Sequence, residues 1–171
     1  MALIVETGAV IANANSYVSL VEADAYFEVD MAFTAAWTAL EDDVKEAYLM
    51  WATRVLDQKV TWKGCKTVET SSLRWPRTGV YDRDGIVVQD NVMPLQLKQG
   101  TFELAKLLTV TDVTTSQGAD YFHRLKVDVI EIEYQMGAGQ ATTPPMLNQI
   151  LRGLGFYPMA LGHSFGRIVT V

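Results

Sequence analysis

The sequence predicts a mainly α-helical chain with minor β-structure: a helical-bundle body over residues 1–154 and an extended C-terminal arm over 155–171. Three observations carry this reading. Apolar residues recur at three- and four-residue steps through 41–58 and again through 94–109, the spacing that lines one face of an α-helix. Short alternating or β-prone segments flank turn residues at 82–85. From residue 155 onward, Gly155, Gly162, Gly166 and Pro158 break every period. Apolar residues make up 49% of the 171 and charged residues 20%, the balance of one globular domain rather than a disordered chain.

In order, Leu3, Ile4 and Val5 open the chain, as a short strand or as packing residues, and the rest of 1–15 is expected to be loop. Ser19 and Glu22 form a capping box ahead of a helix with Leu20, Ala23, Tyr26 and Phe27 on its apolar stripe. Phe33 and Trp37 follow in a linker whose aromatics tuck beneath the central helix. That helix, 41–58, organises the core. Val44, Ala47, Tyr48, Trp51, Ala52, Val55 and Leu56 line its apolar face, with Glu41, Asp42 and Asp43 at the positive end of its dipole. Thr38 and Glu41 form its capping box, unless Glu41 is already helical. Residues 60–72 are expected to be loop with a short strand. Pro76 excludes a helix at Trp75, and Asp82 to Gly85 form a turn between two short strands.

Pro94 is expected as the first helical residue of the second strong helix. Leu95, Lys98, Phe102, Ala105, Leu108 and Thr109 define its face, and Gly100 weakens it by about 1 kcal/mol relative to alanine. Residues 111–120 are loop. A strand over 125–134 slips its alternation at Val129-Ile130, as a bulge or a twisted strand allows. After a flexible connector, Pro144-Pro145 begins a last helix carrying Met146, Leu147, Ile150, Leu151 and Leu154, ending at Gly153 or Gly155. The terminal Arg167, Ile168, Val169, Thr170 and Val171 are β-prone. They suit strand addition to another subunit or an internal edge strand equally well.

Chemistry is sparse. A single Cys65 excludes an internal disulfide and fits a reducing cytosol. His123 and His163 have no metal-ligand company at short spacing. Asp82 and Asp84 start like a calcium loop that lacks its remaining ligands, and Gly137 and Gly139 lack the context of a dinucleotide site. No cofactor is expected, and no enzyme. A net charge of −6 argues against wrapping nucleic acid on a broad basic surface. Arg74, Trp75 and Arg77 are the most suggestive cluster. An aromatic between arginines can stack a base and hold phosphates, contact a neighbouring subunit, or form a buried tryptophan flanked by arginines paired to acids.

The ordered set Ala14-Asn-Ser-Tyr17, Glu22 to Phe27, Trp37, Ala52-Thr53, Leu56-Asp57, Trp62-Lys-Gly64, Leu73, Trp75-Pro-Arg77 and Asp84-Gly85 resembles the head–tail connector (adaptor) proteins of tailed bacteriophages. Related sequences also carry a DnaT-like single-stranded-DNA-binding label. The resemblance implies a virion protein of the neck, a homo-oligomeric ring usually of twelve copies beneath the portal protein. It implies a C-terminal arm docking on that portal, here through Arg167 to Val171, with stopper or tail proteins below. Phage DNA would pass through the channel without specific binding, and an acidic chain suits that passage. Single-stranded-DNA binding is the alternative function.

Overall fold

The computed structural model describes residues 2–110, 122–127, 130–135 and 145–157, with the backbone alone for 122–135 and Pro145. Among the described residues the helices are α1 (Leu20–Glu28), α2 (Thr34–Thr38), α3 (Asp42–Lys59), α4 (Leu95–Leu108) and α5 (Pro145–Ile150). Among the described residues, short strands form antiparallel pairs: β1 (Thr61–Trp62) with β8 (Gly155–Phe156), β2 (Cys65–Lys66) with β3 (Arg77–Thr78), β4 (Val80–Tyr81) with β5 (Val87–Val88), and β6 (Phe122–Val127) with β7 (Ile130–Gln135). The fold is mainly α with minor β, as its periodicities predict.

Side-chain pairs fix the direction of the helices. Lys98 meets Glu22 at 2.6 Å, the Tyr26 hydroxyl donates to Glu103 at 2.8 Å, and Lys106 meets Asp30 at 2.5 Å, so α1 and α4 run parallel. Tyr17 bonds to Thr53 and Asp57, while Asp24 meets Lys45 at 3.3 Å, so α3 runs antiparallel to α1. One end of the bundle therefore gathers the C-termini of α1 and α4 with α2 and the start of α3. The other gathers the end of α3, the start of α4, the β1–β8, β2–β3 and β4–β5 pairs and α5.

The capping box at Ser19 is present: its hydroxyl accepts the Glu22 N–H at 3.2 Å and the Glu22 carboxylate accepts the Ser19 N–H at 2.9 Å. The expected box at Thr38 is not. Thr34 to Thr38 is helical as α2, with Phe33 as its N-cap, rather than linker, and the Thr38 hydroxyl donates back to the Thr34 carbonyl at 2.7 Å. Glu41 caps α3 through its backbone without a side-chain bond. The aromatics do tuck inward. Phe27 lies 4.6 Å from Trp37, 5.0 Å from Phe33 and 6.2 Å from Phe102, centroid to centroid, and forms the hub of one cluster.

This cluster rotates the buried face of α3 away from the predicted one. Ala52, Val55 and Leu56 are buried as expected, but Val44 and Ala47 are exposed, and Tyr48 and Trp51 stack half-buried. Lys45 and Leu49 take the inward positions instead. Lys45 is buried with its ammonium over the Trp37 ring, 5.7 Å from the centroid, and 3.3 Å from Asp24, which also accepts the Trp37 indole N–H at 2.8 Å. A charged residue on the core side is invisible to a count of apolar spacing. In α4, Pro94 is the cap rather than the first helical residue, Leu95 is exposed, and Leu97, Gly100, Thr101 and Leu104 join Phe102, Ala105 and Leu108 inside. Gly100 belongs there: a Cβ at this position would lie 3.0 Å from the Leu151 Cδ2, so its cost in helix propensity is offset by close approach of the segment after α5.

The predicted strand over 125–134 is two strands. The first ends at Val127, which pairs with Ile130 at the start of its antiparallel partner, so the stretch is neither one bulged nor one twisted strand. The turn at 82–85 is as expected: the Asp82 carboxylate accepts the N–H groups of Asp84 and Ile86 at 2.9 and 2.8 Å, and Gly85 has φ +82°. The start of the expected arm belongs to the body. Gly155 and Phe156 pair with β1, and Tyr157 is buried with its N–H bonded to Asn148 at 2.8 Å.

The rotated face yields a test. Leu49→Ala should destabilise the fold by about 2–5 kcal/mol through cavity formation, whereas Ala47→Ser on the exposed side should change stability by no more than about 0.5 kcal/mol. Equal melting temperatures for the two variants would contradict the orientation of α3.

Candidate functional site

The cluster Arg74-Trp75-Pro76-Arg77 closes an irregular loop over the end of α3. Trp75 is preceded by the buried Leu73 and joined to Pro76 by a cis peptide bond. Its side chain is 0% exposed and meets Trp62 edge to face at 5.8 Å. The Trp75 ring thus has both faces inside the core and none for a base, which corrects its expected role in nucleic-acid or subunit contact. Its indole N–H finds no acceptor among the described residues.

Arg77 is also turned inward. Its Nε donates to the Lys63 carbonyl at 2.6 Å, Nη2 to the Gly64 carbonyl at 2.6 Å and Nη1 to the Arg74 carbonyl at 3.1 Å. The partners are carbonyls, not the acids anticipated for buried arginines. The planar guanidinium fork suits this task, because it satisfies three loop carbonyls at once without requiring a second buried charge. Gly64 lets the two chains approach: it has φ +65°, and a Cβ there would lie 2.2 Å from the Thr78 carbonyl oxygen. Of the three cluster residues only Arg74 presents its side chain to solvent.

The backbone of Arg74 supplies the other anchor. Its N–H donates to Asp57 Oδ2 at 3.0 Å, and the Tyr17 hydroxyl donates to Asp57 Oδ1. Tyr17 is in turn held by its N–H on Thr53 Oγ1 at 3.2 Å. Burial pushes the Asp57 carboxyl upward, although Tyr17, the Arg74 N–H and the nearby Arg74 and Lys66 cations pull it back in part. Burial, and then the Asp57 charge, raise Tyr17 well above the ordinary phenol range. Upstream, Asn15 holds the first residues of the chain, accepting the Ile4 N–H at 2.8 Å and donating to the Ala2 carbonyl at 2.9 Å.

The motifs singled out in sequence therefore converge. Ala14 to Tyr17, Thr53, Asp57, Trp62 to Gly64 and Trp75 to Arg77 form one network joining the N-terminal segment, α3 and the loop. Asp57 was missed as a linking residue. Its position four residues after Thr53, on one helix face, was the available signal. The other candidates fall elsewhere. Cys65 is exposed on β2, and His123 is on β6. His163 and the proposed portal-contact residues Arg167, Ile168, Val169, Thr170 and Val171 lie outside the described residues.

Asp57→Asn should cost about 1–3 kcal/mol, since an amide cannot accept from both the Tyr17 hydroxyl and the Arg74 N–H. The pH dependence has a definite sign. A carboxyl raised on folding contributes stability that is present below its unfolded value, roughly 3.9, and lost as pH rises through its folded value. Denaturant titrations should show the wild type's advantage over Asp57→Asn growing as pH falls from 7 toward about 4. An advantage that shrinks over this range would contradict the burial of the charge.

Among known proteins, no curated protein and no solved structure matches this chain. A family model described as "Putative DnaT-like ssDNA binding protein" matches residues 1–169. The chain belongs to that DnaT-like family.

Proposed function

We propose that the chain is a structural connector subunit of a tailed-phage neck rather than an enzyme. The observation that carries this reading is the use of Trp75 and Arg77 inside the fold, combined with large apolar side chains left on its surface. Met31 is 91% exposed, Val29 80%, Ile86 66%, Leu95 66% and Phe156 56%. Exposed apolar groups of this size suit protein partners, whereas a net charge of −6 disfavours a phosphate backbone. The sequence resemblance supplies the finer terms of the proposal: a ring of about twelve copies in the virion, the portal protein bound through Arg167 to Val171, and stopper or tail proteins on the other side.

A second reading, single-stranded-DNA binding, is favoured by the family's description. It needs a surface other than Trp75. Tyr81 and Phe156 are exposed aromatics on β4 and β8. The backbone at Gly153, beside Arg152, packs against that of Asp82 and Arg83, where a Cβ on Gly153 would lie 2.6 Å from the Arg83 nitrogen. Aromatics and arginines at one end of a molecule are what base stacking and phosphate contact require.

A labelled-oligonucleotide titration at about 150 mM salt separates the two. A connector should bind no better than the generic range, roughly 10⁻⁴–10⁻⁶ M, and should co-sediment with portal-bearing capsids. Nanomolar binding lost in Tyr81→Ala and Phe156→Ala, without co-sedimentation, would overturn the connector reading and establish the second.

A further inference from the structure

Helix α3 carries two apolar faces, and the core covers one of them. Leu49, Ala52, Val55 and Leu56 are buried, while Val44, Ala47, Tyr48 and Trp51 form a second stripe at three- and four-residue steps. Val44 is 39% exposed, Ala47 is exposed, and Tyr48 and Trp51 stack on each other half-buried. Charge differs between the two ends of this stripe. Glu41, Asp42 and Asp43 are exposed at the first turn of α3, and Glu46 is half-buried. Asp42 is paired with Lys45 at 3.5 Å, whereas Asp43 accepts only its neighbour Val44 N–H at 2.9 Å and Glu41 caps the helix without a side-chain bond. Asp30, at the same end of the bundle, is paired with Lys106 at 2.5 Å. Toward the other end of the helix Arg54 and Lys59 are exposed, and Asp57 is occupied by Tyr17 and the Arg74 N–H.

Strand β8 is antiparallel to β1, with Gly155 opposite Trp62 and Phe156 opposite Thr61, so the chain leaves Tyr157 heading back toward the end of α3. Residues 158–171, which lie outside the described residues, include Met159, Leu161, Phe165, Ile168 and Val169, one arginine, one histidine and no acidic side chain. The 18 residues of α3 span about 27 Å. Extended chain covers at most about 3.3 Å per residue, so Arg167, the tenth residue after Tyr157, has the reach to arrive at the first turn of α3. We infer that residues 158–167 lie back along the outer face of α3, their apolar side chains on Val44, Ala47, Tyr48 and Trp51 and Arg167 at Glu41 and Asp43. The segment supplies what that face lacks, apolar cover along the stripe and a cation at its acidic end. So docked, it is a latch that holds Arg167 to Val171 on the body until the portal protein competes for them. The competitor rests on the connector reading; the docking does not.

The test introduces Ala47→Cys with Ser164→Cys into a full-length Cys65→Ser chain and joins the two thiols with a short bismaleimide, whose span tolerates a shift of one or two residues. The 47–164 link should form within one chain, at a rate independent of protein concentration, and be found by mass spectrometry of the digest. A comparison pair, Ile86→Cys with Ser164→Cys, uses a position that is 66% exposed beside the Asp82 turn. It should link at least about fivefold more slowly, because a docked segment is concentrated at α3 alone. Adding Glu41→Gln and Asp43→Asn to the 47–164 pair should slow its linking by about two- to fivefold at low salt, with the circular dichroism unchanged. The absence of a 47–164 link, equal rates for the Ala47 and Ile86 pairs, or links only between chains would overturn the inference. Glu41→Gln with Asp43→Asn in the otherwise unaltered chain should also raise co-sedimentation with portal-bearing capsids, since it frees the segment without changing it. A 47–164 link in a chain that never co-sediments would leave the latch standing without the connector reading, and co-sedimentation without the link would do the reverse, so the two fail separately.

Discussion

One half-buried carboxylate organises the least regular third of this molecule. Asp57 sits near the end of α3 and accepts the Tyr17 hydroxyl on one oxygen and the Arg74 N–H on the other. A desolvated charge is costly unless its oxygens are occupied, so the N-terminal segment and the 63–78 loop are constrained to the positions that occupy them. Arg77 completes the arrangement from the far side by gathering three carbonyls of the same loop. Between these anchors the Trp75 side chain is forced into the core, where its area contributes stability that an irregular loop would otherwise lack.

The same economy shapes the surface. Several cations are engaged internally: Arg77, one of the arginines offered for phosphate contact, on carbonyls, Lys45 on Asp24, Lys98 on Glu22 and Lys106 on Asp30. Hydrogen bonding to Lys106 holds the Asp30 carboxyl below its usual range. For Glu22, burial works upward, but Lys98 and Ser19 together outweigh it and lower the group. Among the described residues, Glu28, Glu41, Asp42 and Asp43 remain exposed where α1 ends and α3 begins, and apolar side chains such as Met31, Ile86 and Phe156 are exposed as well.

Much of this was legible in the residues. The helices at 20–28, 42–59 and 95–108 follow from periodicity and caps, and the Asp82 turn follows from its own chemistry. The failures have physical causes. The buried face of α3 was misplaced because Lys45 is buried, whereas a hydrophobicity pattern counts it as solvent-facing. One alternating stretch became two strands because period two does not reveal where a chain reverses. The Trp75 cluster was the most instructive. Aromatic and arginine neighbours look alike whether they face water or the interior, and the distinction depends on Asp57, Lys63 and Gly64, which are remote from the cluster in sequence.

Amide hydrogen exchange at Arg74 tests the central claim most directly, that this loop is an internal staple rather than an open binding surface. If Asp57 and Arg77 hold the loop as described, the Arg74 N–H should exchange only with opening of α3, with protection close to that of the Leu56 amide in the same helix. Exchange at the rate of an unprotected loop, while α3 stays protected, would contradict the account.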